Sequence, residues 1–474
     1  MSDEAQSAAR PATFREVFSG REYRAVFSAT ALSWLGDYIA RAAITVIVFQ
    51  QTESVALSAA AFAISYLPWL IGGPLLATVA DRYPYRTVMV VCDLLRAGLI
   101  SLVALPFMPV WAMLSLLFLT TLATPPAQAA RSALMPLILA GDRLVVGLSI
   151  NNSTSQAAQV IGYSTGAGLA AFSPRSAIVL DAVTFFASAA LIRFGVRQRP
   201  AALARAARTH LVRETAEGFR LVFGTTVLRS IAIIVLSAGM FAIVPEGLAA
   251  AWAQQSGGSD GRQGLYQALI MAAGPIGLVI GGLTMTRLVP PRTRRKLVRI
   301  FAVLAPLVLV PALLNPPPPV VALLAGLCGV AAAGLLPVTN GLFVQALPHA
   351  FRARANGVMA TGMQLVQGGA VLVTGLLAQH STIPRVVGWW SIAGVLLMLV
   401  VSASWPSGEQ IDDAIAAAAR TLPPELRAQG SPVAAAVAPV PPQAGTAAAK
   451  SGAGPARGPA APSELGSRPA PVRS

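Results

Sequence analysis

A carboxylate and a guanidinium four residues apart, Asp37 and Arg41, stand inside a long apolar run of this chain. An isolated charge at membrane depth costs roughly 2.5–3.5 kcal/mol on insertion scales. The i,i+4 spacing lets the two neutralise each other on one helix face. They are either a structural ion pair, or Asp37 lines a cleft and exchanges a proton for substrate. Glu246 follows Pro245 near the end of another apolar run and has no basic residue within a helical turn. A carboxyl there takes up and releases protons if it is buried, and is an ordinary solvated acid if it faces outer water. Asp93 and Arg96 share a helical face of a third run and read as a structural pair. Asp181 reads as a packing or capping residue. Arg131 belongs either to the cleft of Asp37, where it favours anionic substrates, or to lipid headgroups. Asn152, Gln156 and Gln159 form one polar stripe at helical spacing, and Gln364 with Gln367 a second. Such stripes hydrogen-bond between helices or line a substrate path.

Other chemistries lack their residues. No Gly-Lys-Ser/Thr phosphate loop occurs, which excludes an ATP-driven pump within this chain. His210, His349 and His380 are scattered, and no His-Glu-x-x-His is present. Cys92 and Cys328 stand alone in apolar runs and read as packing residues, not as a metal or disulfide framework. No enzymatic site, cofactor or metal is expected.

The elements that must position these residues are membrane helices. Of 474 residues, 55% are hydrophobic and 11% charged, with mean hydropathy +0.65; soluble domains carry about 25% charged residues. The net charge of +16 comes from arginines clustered in short loops, a pattern of contact with anionic lipid rather than nucleic acid. Taking about 20 apolar residues per crossing, we expect twelve spans, near 25–50, 55–79, 87–106, 110–137, 145–172, 175–195, 228–252, 264–289, 297–314, 319–346, 355–379 and 384–404. The fourth, fifth and tenth are long enough to project beyond the membrane. The fold class is therefore all-α, two pseudo-symmetric six-helix bundles.

Residues 1–24 form an N-terminal segment, 25–195 the first bundle, 196–227 a linker, 228–404 the second bundle and 405–474 an Ala/Pro-rich disordered tail with one short helix over 409–421. The linker carries an amphipathic piece, Arg213 to Phe223, expected on the membrane surface. Loops bearing Arg82 and Arg86, Arg143, Arg193 to Arg229, Arg287 to Arg299, and Arg352 with Arg354 fall on one side, which places both termini in the cytoplasm. The halves repeat weakly at an offset of about 210 residues: Gly72-Gly73 aligns with Gly281-Gly282, Arg86 with Arg295 and Arg143 with Arg352, while Pro290 stands where the first copy has Asp81.

The run Gly72-Gly73-Pro74 to Asp81-Arg82-Tyr83-Pro84-Tyr85-Arg86, between the second and third spans, resembles the cytoplasmic signature of the major facilitator superfamily. Leu32-Ser33-Trp34-Leu35-Gly36-Asp37, Asp93-Leu94-Leu95-Arg96-Ala97 and the loop Leu347-Pro348-His349-Ala350-Phe351-Arg352-Ala353-Arg354 are similar to the bacterial drug- and siderophore-exporter branch, the third drug:proton antiporter group. Ala77, Pro84 and Tyr85 depart from the signature, and span five lacks the proline of the antiporter motif. The resemblance implies a transporter of the bacterial inner membrane that exports a small amphipathic compound against an inward flow of protons; a monomer is the default expectation. It also implies a cytoplasmic gate and signature of Gly73, Asp81, Arg82, Arg86, Asp142, Arg352 and Arg354, supported by the Asp93–Arg96 pair, in which Asp81 latches the outward-facing state against span eleven. Asp142 is a possible receiver for Arg86; the alternative is a solvated loop pair. A lysophospholipid or metabolite transporter of the same fold, and a non-transporting sensor or scaffold, are the competing functions.

Overall fold

The computed structural model of the protein describes residues 13–69, 82–200, 211–348 and 351–421, and among them it contains helices and no strand. A short helix α1 (Phe14–Ser19), closed by a capping box between Thr13 and Glu16, leads into α2 (Arg21–Thr52). There follow α3 (Val55–Ala63), α4 (Tyr85–Val103), α5 (Val110–Leu122), α6 (Thr124–Ile138), α7 (Asp142–Phe172) and α8 (Pro174–Gly195). After the linker helix α9 (Leu211–Gly224) come α10 (Thr226–Ala242), α11 (Val244–Gln255), α12 (Asp260–Leu288), α13 (Pro291–Leu307), α14 (Pro318–Ala346), α15 (Arg352–Leu377), α16 (Ile383–Ala403) and α17 (Gly408–Arg420).

Two of the fully described expected spans break into two α-helices. The fourth becomes α5 and α6 at Ala123, ahead of Pro125-Pro126, and the seventh becomes α10 and α11 at Ile243, ahead of Pro245. A proline lacks the N–H that would continue the helix and favours a first turn. Nine segments among the described residues are long and apolar enough to cross a membrane. Of the three other expected spans, the second is described only in part, α4 carries Arg86, Asp93 and Arg96 in nineteen residues, and α7 carries the polar stripe.

The linker piece is helical, as expected, but it does not simply lie on the membrane. Val222 is fully buried among the C-terminal helices, and Glu217 pairs with Arg354 at 2.9 Å, while Phe219 stays exposed. Helix α17 begins with a capping box on Ser407 and buries Ile411 and Ile415 in the same core.

The helices before the linker and those after it form two halves joined unevenly. At the end where α2 turns into α3, one apolar core runs through both: Ala42, Phe62, Tyr66 and Tyr163 pack with Val244, Trp252, Val371 and Ile383. Gly368 and Gly375 of α15 sit against Tyr66 and Ala59, and Gly264 of α12 against Ala167 and Ala171. At the opposite end each half has its own core, one around Tyr23, Tyr85 and Leu134, the other around Val227, Phe343 and Leu347.

Candidate functional site

Helix α4 brings Arg96, 3% exposed, to the centre of the N-terminal half. Its Nη2 donates to both carboxylate oxygens of Asp37, at 2.6 and 2.7 Å, and its Nη1 donates to Ser33 Oγ at 3.3 Å. Asp93 Oδ1 lies 3.8 Å from Nη1, while Ser188 Oγ donates to Asp93 Oδ2 at 2.6 Å. The guanidinium also lies 4.0 Å from the centre of the Phe185 ring. Asp37 therefore pairs across helices with Arg96, and no ion pair with Arg41 is formed. A buried guanidinium needs several acceptors at once, and Arg96 meets Asp37 from α2 together with Asp93 of its own helix, where Arg41 would have Asp37 alone. Asp93 and Arg96 are the expected pair, extended into a cluster. Helix α8 supplies Asp181, buried at 1% exposure, whose Oδ1 has Thr184 Oγ1 at 3.4 Å. Gly36 makes this approach possible, because a side chain there would strike Asp181 and Thr184.

Arg41 turns instead into an aromatic box. Its guanidinium carbon is 5.4, 5.5 and 5.4 Å from the ring centres of Tyr38, Phe62 and Tyr66, and Nη1 donates to Tyr163 Oη at 3.4 Å. Cation–π contacts of this kind hold a guanidinium away from water. Tyr163 in turn donates to Glu246 Oε1 at 2.5 Å, and Gln159 Nε2 donates to the same oxygen at 3.4 Å. Glu246 is buried, at 9% exposure, so it does not face outer water. Its partners all come from the other half, carried there by α7, which Gly162 and Gly166 let close onto α2 at Tyr38 and Ile39. A third link crosses nearby, where Gln267 Nε2 donates to the carbonyl of Ala42 at 2.9 Å.

Arg131 is buried with its guanidinium 5.8 Å from the Trp34 ring, within electrostatic reach of Asp93, so it belongs to the protein interior and not to headgroups. Gln156, Gln364 and Gln367 are half-buried and Asn152 is exposed; Gln159 alone of its stripe bonds Glu246. Of the expected gate, Gly73 and Asp81 lie outside the described residues. Arg82 is exposed, Arg86 is half-buried, and no ion pair joins Arg86 to Asp142, which opens α7 in its first turn. Arg352 is half-buried, and Arg354 is engaged by Glu217 of the linker helix.

Sequence reasoning missed Tyr163, Thr184, Ser188 and the aromatic box, since tyrosine and hydroxyl side chains in an apolar run carry no charge to attract notice. The run Gly162-Tyr163-Ser164-Thr165-Gly166 has the spacing of a hydrolase nucleophile turn, but it lies inside α7 and not between a strand and a helix. Among the described residues no cluster suited to a metal exists, and both cysteines are buried free thiols. Away from the polar clusters, an apolar groove of about 680 Å³ opens between α7, α12 and α14, lined by Gly168, Leu265, Leu269, Ile280, Leu327 and Val330.

Residues 26–324 match the Major Facilitator Superfamily. Macrolide efflux protein A of Streptococcus pyogenes is 23% identical over 180 residues, 36% of this chain and 44% of that protein, so the match spans under half of the relative's length. Among solved structures, a mutant of the nucleoside transporter NupG aligns with TM-score 0.65 at 14% identity, covering 81% of this chain and all of that one. The POT family transporter PepTSo aligns with TM-score 0.63 at 12% identity, covering 81% and 97%. These likenesses concern the fold. With most of its length inside the family match, a helical bundle of apolar spans and a transporter's architecture, the chain belongs to the Major Facilitator Superfamily.

Proposed function

We propose that the protein is a twelve-span secondary transporter of the bacterial cell membrane that exports a small amphipathic compound in exchange for protons, by alternating access between its halves. The observation that carries this reading is Glu246. It is the one carboxyl of the C-terminal half buried among the described helices, and every side chain that bonds it belongs to the other half. Taking up a proton changes what Tyr163 and Arg41 face across that contact, so protonation and the joining of the halves are linked. The similarity to a macrolide efflux protein supports export of an amphipathic substrate. With the arginine-rich loops in the cytoplasm, the end where both halves share a core is the outer one, and the conformation is inward-facing.

The test is efflux of a fluorescent amphipathic cation and of an anionic counterpart from cells carrying the wild type or Glu246→Gln, with and without a protonophore. Protonophore-sensitive efflux that Glu246→Gln abolishes is the expected result. Efflux of neither dye, with the protein verified in the membrane, would overturn export of this range of compounds. The groove between α7 and α12 favours a second reading, a lysophospholipid substrate taken from the bilayer. Uptake or flipping of a labelled lysophospholipid in vesicles decides between them.

A further inference from the structure

The cluster in the N-terminal half has three carboxyls, Asp37, Asp93 and Asp181, and two guanidiniums, Arg96 and Arg131. Arg96 is committed to both oxygens of Asp37 and lies 3.8 Å from Asp93, and Arg131 is within electrostatic reach of Asp93. Asp181 is left over. It is 1% exposed, its side-chain partner is Thr184 of its own helix, and among the described residues no basic nitrogen comes within 4 Å of it. The charged groups facing it are Asp37 from α2, beside Gly36, and Arg96 from α4. Helix α7 adds no charge there, its only charged residues being Asp142 and Arg143 in its first turn. Burying an ionised carboxylate with no cation in contact is costly, and Arg96, the guanidinium that acts on Asp181, is held by Asp37.

We propose that Asp181 is a proton-binding site, distinct from Glu246, and that Arg96 couples it to a cation-binding position at Asp37. Asp37 is the accessible member, with 28% of its side chain exposed. An amphipathic cation that docks on the Asp37 carboxylate takes over the charge balance that Arg96 supplies. Arg96 remains positive and buried, and the nearest carboxyl without a cation is Asp181. The path is short: Arg96 already stacks on Phe185, one helical turn from Asp181 on the same face of α8. Asp181 then ionises, and its proton leaves to water in the cleft. One positive charge enters and one proton departs, so the cluster keeps its net charge. In reverse, protonation of Asp181 returns Arg96 to Asp37 and expels the cation. This rests on the export reading and narrows it to cationic substrates.

The test uses the purified full chain and the lipophilic cation tetraphenylphosphonium as probe. Infrared difference spectra should show the carbonyl stretch of a protonated carboxylic acid that disappears on adding the probe and is missing in Asp181→Asn. In lightly buffered solution, the wild type should release one proton per bound cation, whereas Asp181→Asn should bind the cation and release none. Asp37→Asn should lose probe binding. Equal proton release from wild type and Asp181→Asn would overturn the proposal, as would a protonated-acid band that survives in Asp181→Asn and still vanishes with the probe. If Asp181→Asn does not fold, Asp181→Glu serves instead: the band must shift in frequency, and an unshifted band overturns the assignment. Failure of the export reading looks different, since cells would show no efflux while the purified protein still exchanges a proton for the probe.

Discussion

The two halves share a plan of helices but hold themselves together by different means. In the N-terminal half, Asp37, Asp93, Asp181, Arg96 and Arg131 are gathered from four helices into one interior cluster. In the C-terminal half, the described interior carries Glu246 as its buried charge, and that residue bonds across to the other half. What joins α12 to α14 is backbone approach: a side chain added at Gly277, Gly281 or Gly329 would strike the backbone of Gly326, Val330 or Gly274. Packing of small residues is the usual adhesive where lipid removes the hydrophobic drive between helices. Buried ion clusters contribute little stability for their cost, and the proton and cation sites proposed above fall in the half that concentrates them. The other half serves as a packed counterpart that presents a single acid to it.

This contrast can be broken or sharpened by substitution. The largest effect is expected for Arg96→Ala, which strands Asp37 and Asp93 without their cation and should cost about 3–5 kcal/mol, read as a lowered unfolding temperature in detergent. A loss below about 1 kcal/mol would mean that the cluster is not a paired interior at all. In the C-terminal half, Gly277→Val should cost about 1–3 kcal/mol by overpacking α12 on α14, whereas Gly98→Val on α4, with open space around it, should be nearly neutral. Equal effects at the two glycines would remove the packing side of the contrast. Between the halves, Tyr163→Phe removes one hydrogen bond to Glu246, worth about 1 kcal/mol net, and should speed hydrogen exchange in α11 more than in α8. The smallest change is expected for Glu217→Gln at the half-exposed pair with Arg354, about 0–1 kcal/mol and shrinking with added salt.

Much of the helical plan was legible in the chain. Apolar runs of membrane length, the prolines at 125, 245 and 318 that begin new helices, and the cap residues Thr13 and Ser407 are local signals, and each reports on backbone within a turn or two. The charged residues worth suspecting were visible for the same reason: an ionisable group inside an apolar run is conspicuous wherever it points. Their partners were not visible. Asp37 bonds Arg96, 59 residues away, in place of Arg41 one turn along, and Glu246 bonds Tyr163, 83 residues away.

By itself, then, the sequence determined that this chain lives in a membrane, where its helices begin and break, and which few charges must be satisfied inside it, because hydropathy, proline and capping act over a handful of residues. Only the tertiary structure decided how those charges are satisfied. Which guanidinium meets which carboxyl depends on the faces that Gly36, Gly162 and Gly166 allow to touch, and pairing across helices exists only once the helices have packed.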